Sequence, residues 1–242
     1  MSWGVNMRGI VLSDIGRIRR QNQDRFLVDE KRGLFVVCDG MGGHKAGEVA
    51  AQVAIDTIQA RIGLLDDENP HHFLADSIRE ANQQIFTMAR QNEDYSDMGT
   101  TITAAVVREM ILYVAHIGDS SLYLIREDGP QKLTRDHTMN EKMLREGLLS
   151  EDEIKSNRYR HILTRALGVE DQVEIDLFTS NLQDEDKFIL TTDGLTDLVE
   201  PWEIWDKFEE EPHIDQALSG LMKIAYERGG HDNITMIAVV LS

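Results

Sequence analysis

Residues 100–125 read TTITAAVVREMILYVAHIGDSSLYLI. Within them, three apolar runs rich in branched residues (100–107, 111–117 and 121–125) are separated by only a few turn residues. Runs of that length and composition are strands, and connections this short join antiparallel neighbours, because a parallel crossover needs a dozen or more residues. The fold is therefore expected to be built on antiparallel sheets, with helices packed outside them.

Working outward, the same signature recurs at 9–12, 25–28, 34–38, 173–178, 187–191 and 234–241, which makes nine expected strands. Helical spacing is clearest over 48–62, where Ala50, Val53, Ala54, Ile58 and Ile62 form one apolar stripe. It recurs over 73–88 (Leu74, Ile78, Ala81, Ile85, Met88) and over 215–226 (Leu218, Leu221, Met222, Ala225). The stretch 136–160 is polar and of mixed charge, with Arg145, Lys155, Arg158 and Arg160 among several acids. It reads as a small helical excursion over the surface. We expect one domain over 1–242, since 242 residues with 41% apolar composition can bury one substantial core.

Charge narrows the function. Twenty-five Lys+Arg against 43 Asp+Glu give a net charge of -18, the opposite of a nucleic-acid binder, and argue against anionic membranes too. A single cysteine, Cys38, can form no internal disulfide, and the opening residues lack the apolar core of a secretory signal. No run approaches the roughly 18 apolar residues of a spanning helix. The expectation is a cytoplasmic, monomeric protein without nucleic-acid or membrane partners.

The acids fall in a pattern. Leu34-Phe35-Val36-Val37-Cys38 runs into Asp39-Gly40, and Phe188-Ile189-Leu190-Thr191-Thr192 runs into Asp193-Gly194. Asp119 follows the run ending at Gly118, and Asp232 sits just before the last strand. One Asp-Gly after a strand is ordinarily a turn. Four carboxylates at strand ends can converge at one sheet edge, where they repel unless a cation lies among them. Carboxylate and carbonyl oxygens suit Mg²⁺ or Mn²⁺ rather than zinc, for which the chain has no His-x-x-x-His or paired-Cys spacing. A pair of such ions about 3.5–4 Å apart suits in-line displacement at phosphorus. Magnitude agrees: phosphate-monoester hydrolysis can require accelerations approaching ~10²¹, whereas a positioned acid or base supplies about 10²–10⁴.

Six segments then carry a resemblance. Arg19-Arg20-Gln21-Asn22-Gln23-Asp24, Val37-Cys38-Asp39-Gly40-Met41-Gly42-Gly43-His44, Met98-Gly99-Thr100-Thr101, His116-Ile117-Gly118-Asp119-Ser120, Thr191-Thr192-Asp193-Gly194-Leu195 and Gly230-His231-Asp232-Asn233-Ile234-Thr235 resemble, in order, the motifs of the type 2C metal-dependent protein phosphatases in their compact bacterial form. The resemblance implies a four-layer α-β-β-α sandwich and hydrolysis of phosphoserine or phosphothreonine in proteins, in opposition to a serine/threonine kinase. It implies two Mn²⁺ or Mg²⁺ ions: Asp39 bridges them, the Gly40 carbonyl serves the first, and Asp193 and Asp232 serve the second. Asp24 would act mainly through metal-bound waters, and Asp119 with Asp193 would hold a third, weaker ion. Arg19 matches the arginine that grips the substrate phosphate, with Arg20 as a rival, and His44 the histidine that protonates the leaving oxygen or braces a metal ligand. His161 is a candidate substrate contact, and 136–160 matches a flap over the site. Where many relatives have arginine after Gly-Asp-Ser, this chain has Ser121. A scaffold that had lost the chemistry is the rival from another class, but Asp39, Gly40, Asp193 and Asp232 are all present.

Overall fold

A computed structural model describes residues 6–42, 46–150, 153, 157, 159 and 161–241. Alternation along the strands sorts their side chains into layers. In β3 (Leu34–Cys38), Leu34, Val36 and Cys38 face one way and Phe35 and Val37 the other, and all five are fully buried. A strand buried on both faces lies in the middle of a stack.

Two five-stranded sheets make up the centre, every pairing antiparallel. One has the order β1-β12-β11-β8-β9, from Met7–Asp14, Ile234–Leu241, Lys187–Thr191, Ser121–Arg126 and Gly129–Lys132. The other has the order β10-β7-β6-β3-β2, from Asp176–Asn181, Ile111–Ile117, Ile102–Arg108, Leu34–Cys38 and Arg25–Asp29. Their inner faces meet in one apolar layer, where Phe35 of β3 sets its ring edge-on to Phe188 of β11 with centroids 5.8 Å apart. A short ribbon of β4 (Gly40–Met41) and β5 (Gly99–Thr100) extends beyond β3.

Helices cover both outer faces. α1 (Ala46–Arg61) and α2 (Pro70–Gln91) lie on the second sheet through Ala50, Ala54, Ile58, Leu74, Ile78 and Ile85. On the first sheet lie α5 (Pro201–Glu210) and α6 (Ile214–Glu227), through Ile204, Phe208, Leu218 and Leu221. Between these pairs come α3 (Met139–Arg145), inside the 136–160 excursion, and the four-residue α4 (Asp193–Thr196). The four-layer sandwich is thus present, and the three expected helices stand within two or three residues of their expected ends.

The strand expected at 100–107 is broken at Thr101 into β5 and β6 (Ile102–Arg108), which lie in different sheets, and three further readings need correction. The strand expected at 173–178 is Asp176–Asn181, because Val173 and Ile175 are apolar in order to pack against the α1/α2 layer, not to pair with β7. The reading missed α5, whose start carries a proline in the first turn and a reciprocal Glu200–Glu203 capping box. It also missed β9, an edge strand containing Pro130.

Candidate metal centre

The strand ends of both sheets meet at one cleft of about 890 Å³, and Arg19, Asp39, Gly40, Asp119, His161, Asp193 and Asp232 all line it. Asp39 is fixed by its backbone: its N–H donates to Thr101 Oγ1 (2.9 Å), and its carbonyl accepts from Thr101 N–H and Thr100 Oγ1 (both 2.9 Å). Thr101 Oγ1 lies 2.8 Å from Ser120 Oγ, so the threonine pair ties the end of β3 to the β7–β8 turn that carries Asp119. That turn is braced in turn by the Gly118 N–H, which donates to His137 Nδ1 at 3.1 Å.

Gly40 follows in a space that admits no side chain. A Cβ there would stand 2.1 Å from the carbonyl oxygen of Gly47 in the first turn of α1, and one on Gly47 would stand 2.5 Å from the Gly40 carbonyl. The two glycines seat β4 directly on the helix, which sets the direction of the Gly40 carbonyl.

Asp193 opens α4 immediately after β11. Behind it, Thr192 Oγ1 donates to Asp24 Oδ2 (2.9 Å) and accepts from Thr235 N–H (3.0 Å). Asp24 is buried and does not line the cleft; it stands one layer back, consistent with an indirect role. Asn233 organises the loop bearing Arg19: its Nδ2 donates to the carbonyls of Ile15 and Gln21 (both 2.9 Å), and its Oδ1 accepts from Gln23 N–H (2.8 Å). Arg19 then reaches Asp232 Oδ2 at 2.5 Å. Arg20 is exposed and does not line the cleft. His44 lies outside the described residues, as does most of 151–160. Ser121 is buried at the start of β8, opposite Thr191.

These carboxylates burden one another. Burial first, then the charges of Asp24, Asp193, Asp119 and Asp232, holds Asp39 well above the ordinary carboxylate range. Asp193 is raised likewise by burial and by Asp119, Asp197 and Asp232. Burial drives Asp24 up to about 7 despite its threonine hydrogen bonds, and Asp119 rises to about 7 from burial and Asp136. Among the described residues, the buried oxygens Asp24 Oδ1 and Asp193 Oδ1 have no hydrogen-bond partner. Crowded carboxylates with unsatisfied hard oxygens fit divalent cations with oxygen preference, and Arg19 at Asp232, with the charges of Arg25 and Lys132 farther off, is too little counter-charge.

One residue escaped the sequence reading. Asp197 stands four residues after Asp193, and His161, Asp193 and Asp197 bring candidate ligand atoms within 4.8 Å of one another, with His161 Nδ1 3.4 Å from Asp197 Oδ2. The i, i+4 spacing of the two aspartates was the available signal.

The family model for Protein phosphatase 2C matches residues 13–234. The chain belongs to the protein phosphatase 2C family. Among curated relatives of this phosphatase, the serine/threonine phosphatase stp of Listeria innocua is 35% identical over 234 residues, which cover 94% of this chain and 93% of that protein. Among solved structures, the serine/threonine phosphatase Stp1 from Staphylococcus aureus superposes with a TM-score of 0.92 at 31% identity, covering 100% of this chain and 98% of the other. The catalytic domain of the serine/threonine protein phosphatase PstP, solved in complex with 2 manganese ions, gives a TM-score of 0.86 at 31% identity over 98% of both chains. Among the described residues, no helix of this 2C phosphatase is long and apolar enough to cross a membrane.

Proposed function

We propose that this chain is a metal-dependent protein serine/threonine phosphatase that hydrolyses phosphoserine and phosphothreonine in other proteins. The observation that carries the reading is the convergence of Asp39, Asp119, Asp193 and Asp232, from four separate strand ends, on one cleft that also holds Arg19. Asp39, the Gly40 carbonyl, Asp193 and Asp232 would hold two Mn²⁺ or Mg²⁺ ions, with Asp24 supporting from behind and Asp119 offering, with Asp193, a place for a third. Bound there, the cations supply activation of the attacking water and neutralise the charge of the phosphoryl group.

The chain's own residues do the rest. Arg19 carries a planar fork of donors to the mouth of the cleft, suited to two phosphate oxygens at once. Asp232 and the Asn233 clamp aim it. Thr192 holds Asp24 by one oxygen, which leaves the other buried without a hydrogen-bond partner. His44 is assigned the proton for the leaving oxygen, and His161 a contact to substrate. The segment 136–160, with α3 at its start, is assigned as a flap of a single domain. The chain works as a cytoplasmic monomer, opposing a serine/threonine kinase.

The test is hydrolysis of a phosphothreonine peptide with Mn²⁺ and with chelator. Release of phosphate that chelator abolishes is the expected result; equal rates in both conditions refute it.

A further inference from the structure

The cleft continues past the aspartates along a wall that phosphate chemistry alone does not need. Its far side is built from the segment between α3 and β10, including Ala166, Val169, Glu170, Val173 and Glu174. Residues 164–175 of that segment carry no helix and no strand beyond the isolated bridge at Leu167, yet their backbone is pinned. The buried Asn82 of α2 donates to the carbonyls of Glu170 (3.0 Å) and Asp171 (3.1 Å), and its Oδ1 accepts from Gly168 N–H (2.8 Å). Leu167 pairs with Thr100 of β5 through two backbone hydrogen bonds of 3.2 and 2.9 Å. The wall is therefore fixed to the same β4–β5 ribbon that carries Gly40.

Its chemistry has two parts. Close to the ribbon it is apolar: Gly99 is kept bare by its neighbours, since a Cβ there would stand 2.6 Å from Met41 Cε and 3.3 Å from Val169 Cγ2. Val169 still leaves 55% of its surface open. An open apolar side chain beside a polar centre suits the aliphatic stem of a long side chain. Next to it the wall turns acidic. Among the described residues, Arg165 is the arginine of the wall, and it is already taken by Glu174 (2.9 Å) and Asp176 (2.7 Å). The Glu170 carboxylate, exposed at the rim, makes no ion pair with any described residue.

We infer that this cleft selects phosphoprotein segments carrying a lysine or arginine beside the phosphorylated residue, the aliphatic stem lying on Met41 and Val169 and the cationic head meeting Glu170. The inference rests on the phosphatase reading above and adds a substrate class to it. Glu170 is then a specificity-determining residue, and the overall acidity of the chain favours the encounter with such basic segments.

The test uses the full chain with Mn²⁺, a small aryl phosphate, and phosphothreonine peptides that differ only in bearing arginine, alanine or glutamate at each flanking position. At one or more positions the arginine peptide should exceed the alanine peptide in kcat/KM by about three- to fivefold, the range of a single exposed ion pair, and exceed the glutamate peptide by more. The advantage should shrink as salt is raised. Glu170→Gln should erase the preference, Glu170→Lys should turn it toward the glutamate peptide, and Glu170→Asp should keep part of it. Equal rates for the three peptides in the natural protein overturn the inference while leaving the phosphatase reading intact, as does a preference that Glu170→Lys leaves unaltered. Failure to hydrolyse even the aryl phosphate overturns the phosphatase reading and this inference with it.

Discussion

Asp39 is half-buried at the cleft, and desolvation and four other carboxylates raise the free energy of its charged form. A single amide in its place keeps size and backbone hydrogen bonds while removing that charge. Asp39→Asn and Asp193→Asn should therefore fold, yet lose Mn²⁺-stimulated phosphatase activity by about 10²-fold or more, since several kcal/mol of charge stabilisation go with each ligand. Steady-state assays on a phosphothreonine peptide, with circular dichroism to verify folding, decide it; either variant retaining near-full activity rules out the two-cation site. Arg19 differs because it is half exposed, and among the described residues its ion pair is with Asp232. The phosphate contact proposed for it is made before and during the reaction, so Arg19→Ala should raise KM about tenfold and lower kcat much less. A KM left unchanged would move the phosphate contact elsewhere.

At the scale of the element, position comes from close backbone contacts. Gly47 lets the first turn of α1 touch Gly40, and any side chain there pushes on the ribbon. Gly47→Ala should lower stability by about 1–3 kcal/mol and, by turning the Gly40 carbonyl, weaken Mn²⁺ binding measured by calorimetry. Unchanged affinity would mean that this carbonyl is no ligand. Such contacts mark the limit of what the sequence discloses. Leu34–Cys38 and Ile234–Leu241 were legible because their apolar runs are fixed by burial on both faces, and the aspartates because each interrupts such a run. The β6–β7 turn was legible only as a short gap: Glu109 and Met110 both take positive φ (52° and 59°), a two-residue hairpin conformation that usually calls for Asn-Gly. Val173 misled because an apolar residue packing from a loop looks like one packing from a strand. The Glu170 wall was hidden because its order comes from Asn82, 88 positions away along the chain.

For the whole molecule, the site is a source of instability that cations relieve. Without them, Asp24, Asp39, Asp119 and Asp193 all have folded pKa values above the ordinary carboxylate range. Between the unfolded value, about 3.9, and the raised folded one, the native chain keeps protons that the unfolded chain has released. Each of these groups therefore lowers stability as pH rises through that window, and its full penalty is present above the folded pKa. Buried His116, held down at about 3, contributes the opposite slope below its ordinary value, so the carboxylate effect is best isolated by comparing variants. In chelator at pH 8, Asp39→Asn should melt several degrees above the natural protein, at about 2–4 °C per kcal/mol for a chain of this size. The gap should narrow as pH falls toward 4 and close below about 3, where the aspartates are protonated in both states. Added Mn²⁺ should reverse the order at pH 8, because only the intact site gains binding free energy on folding. Thermal melts across pH, with and without Mn²⁺, measure all three effects, and an Asp39→Asn protein less stable than the natural one in chelator at pH 8 would show that the converging carboxylates do not repel.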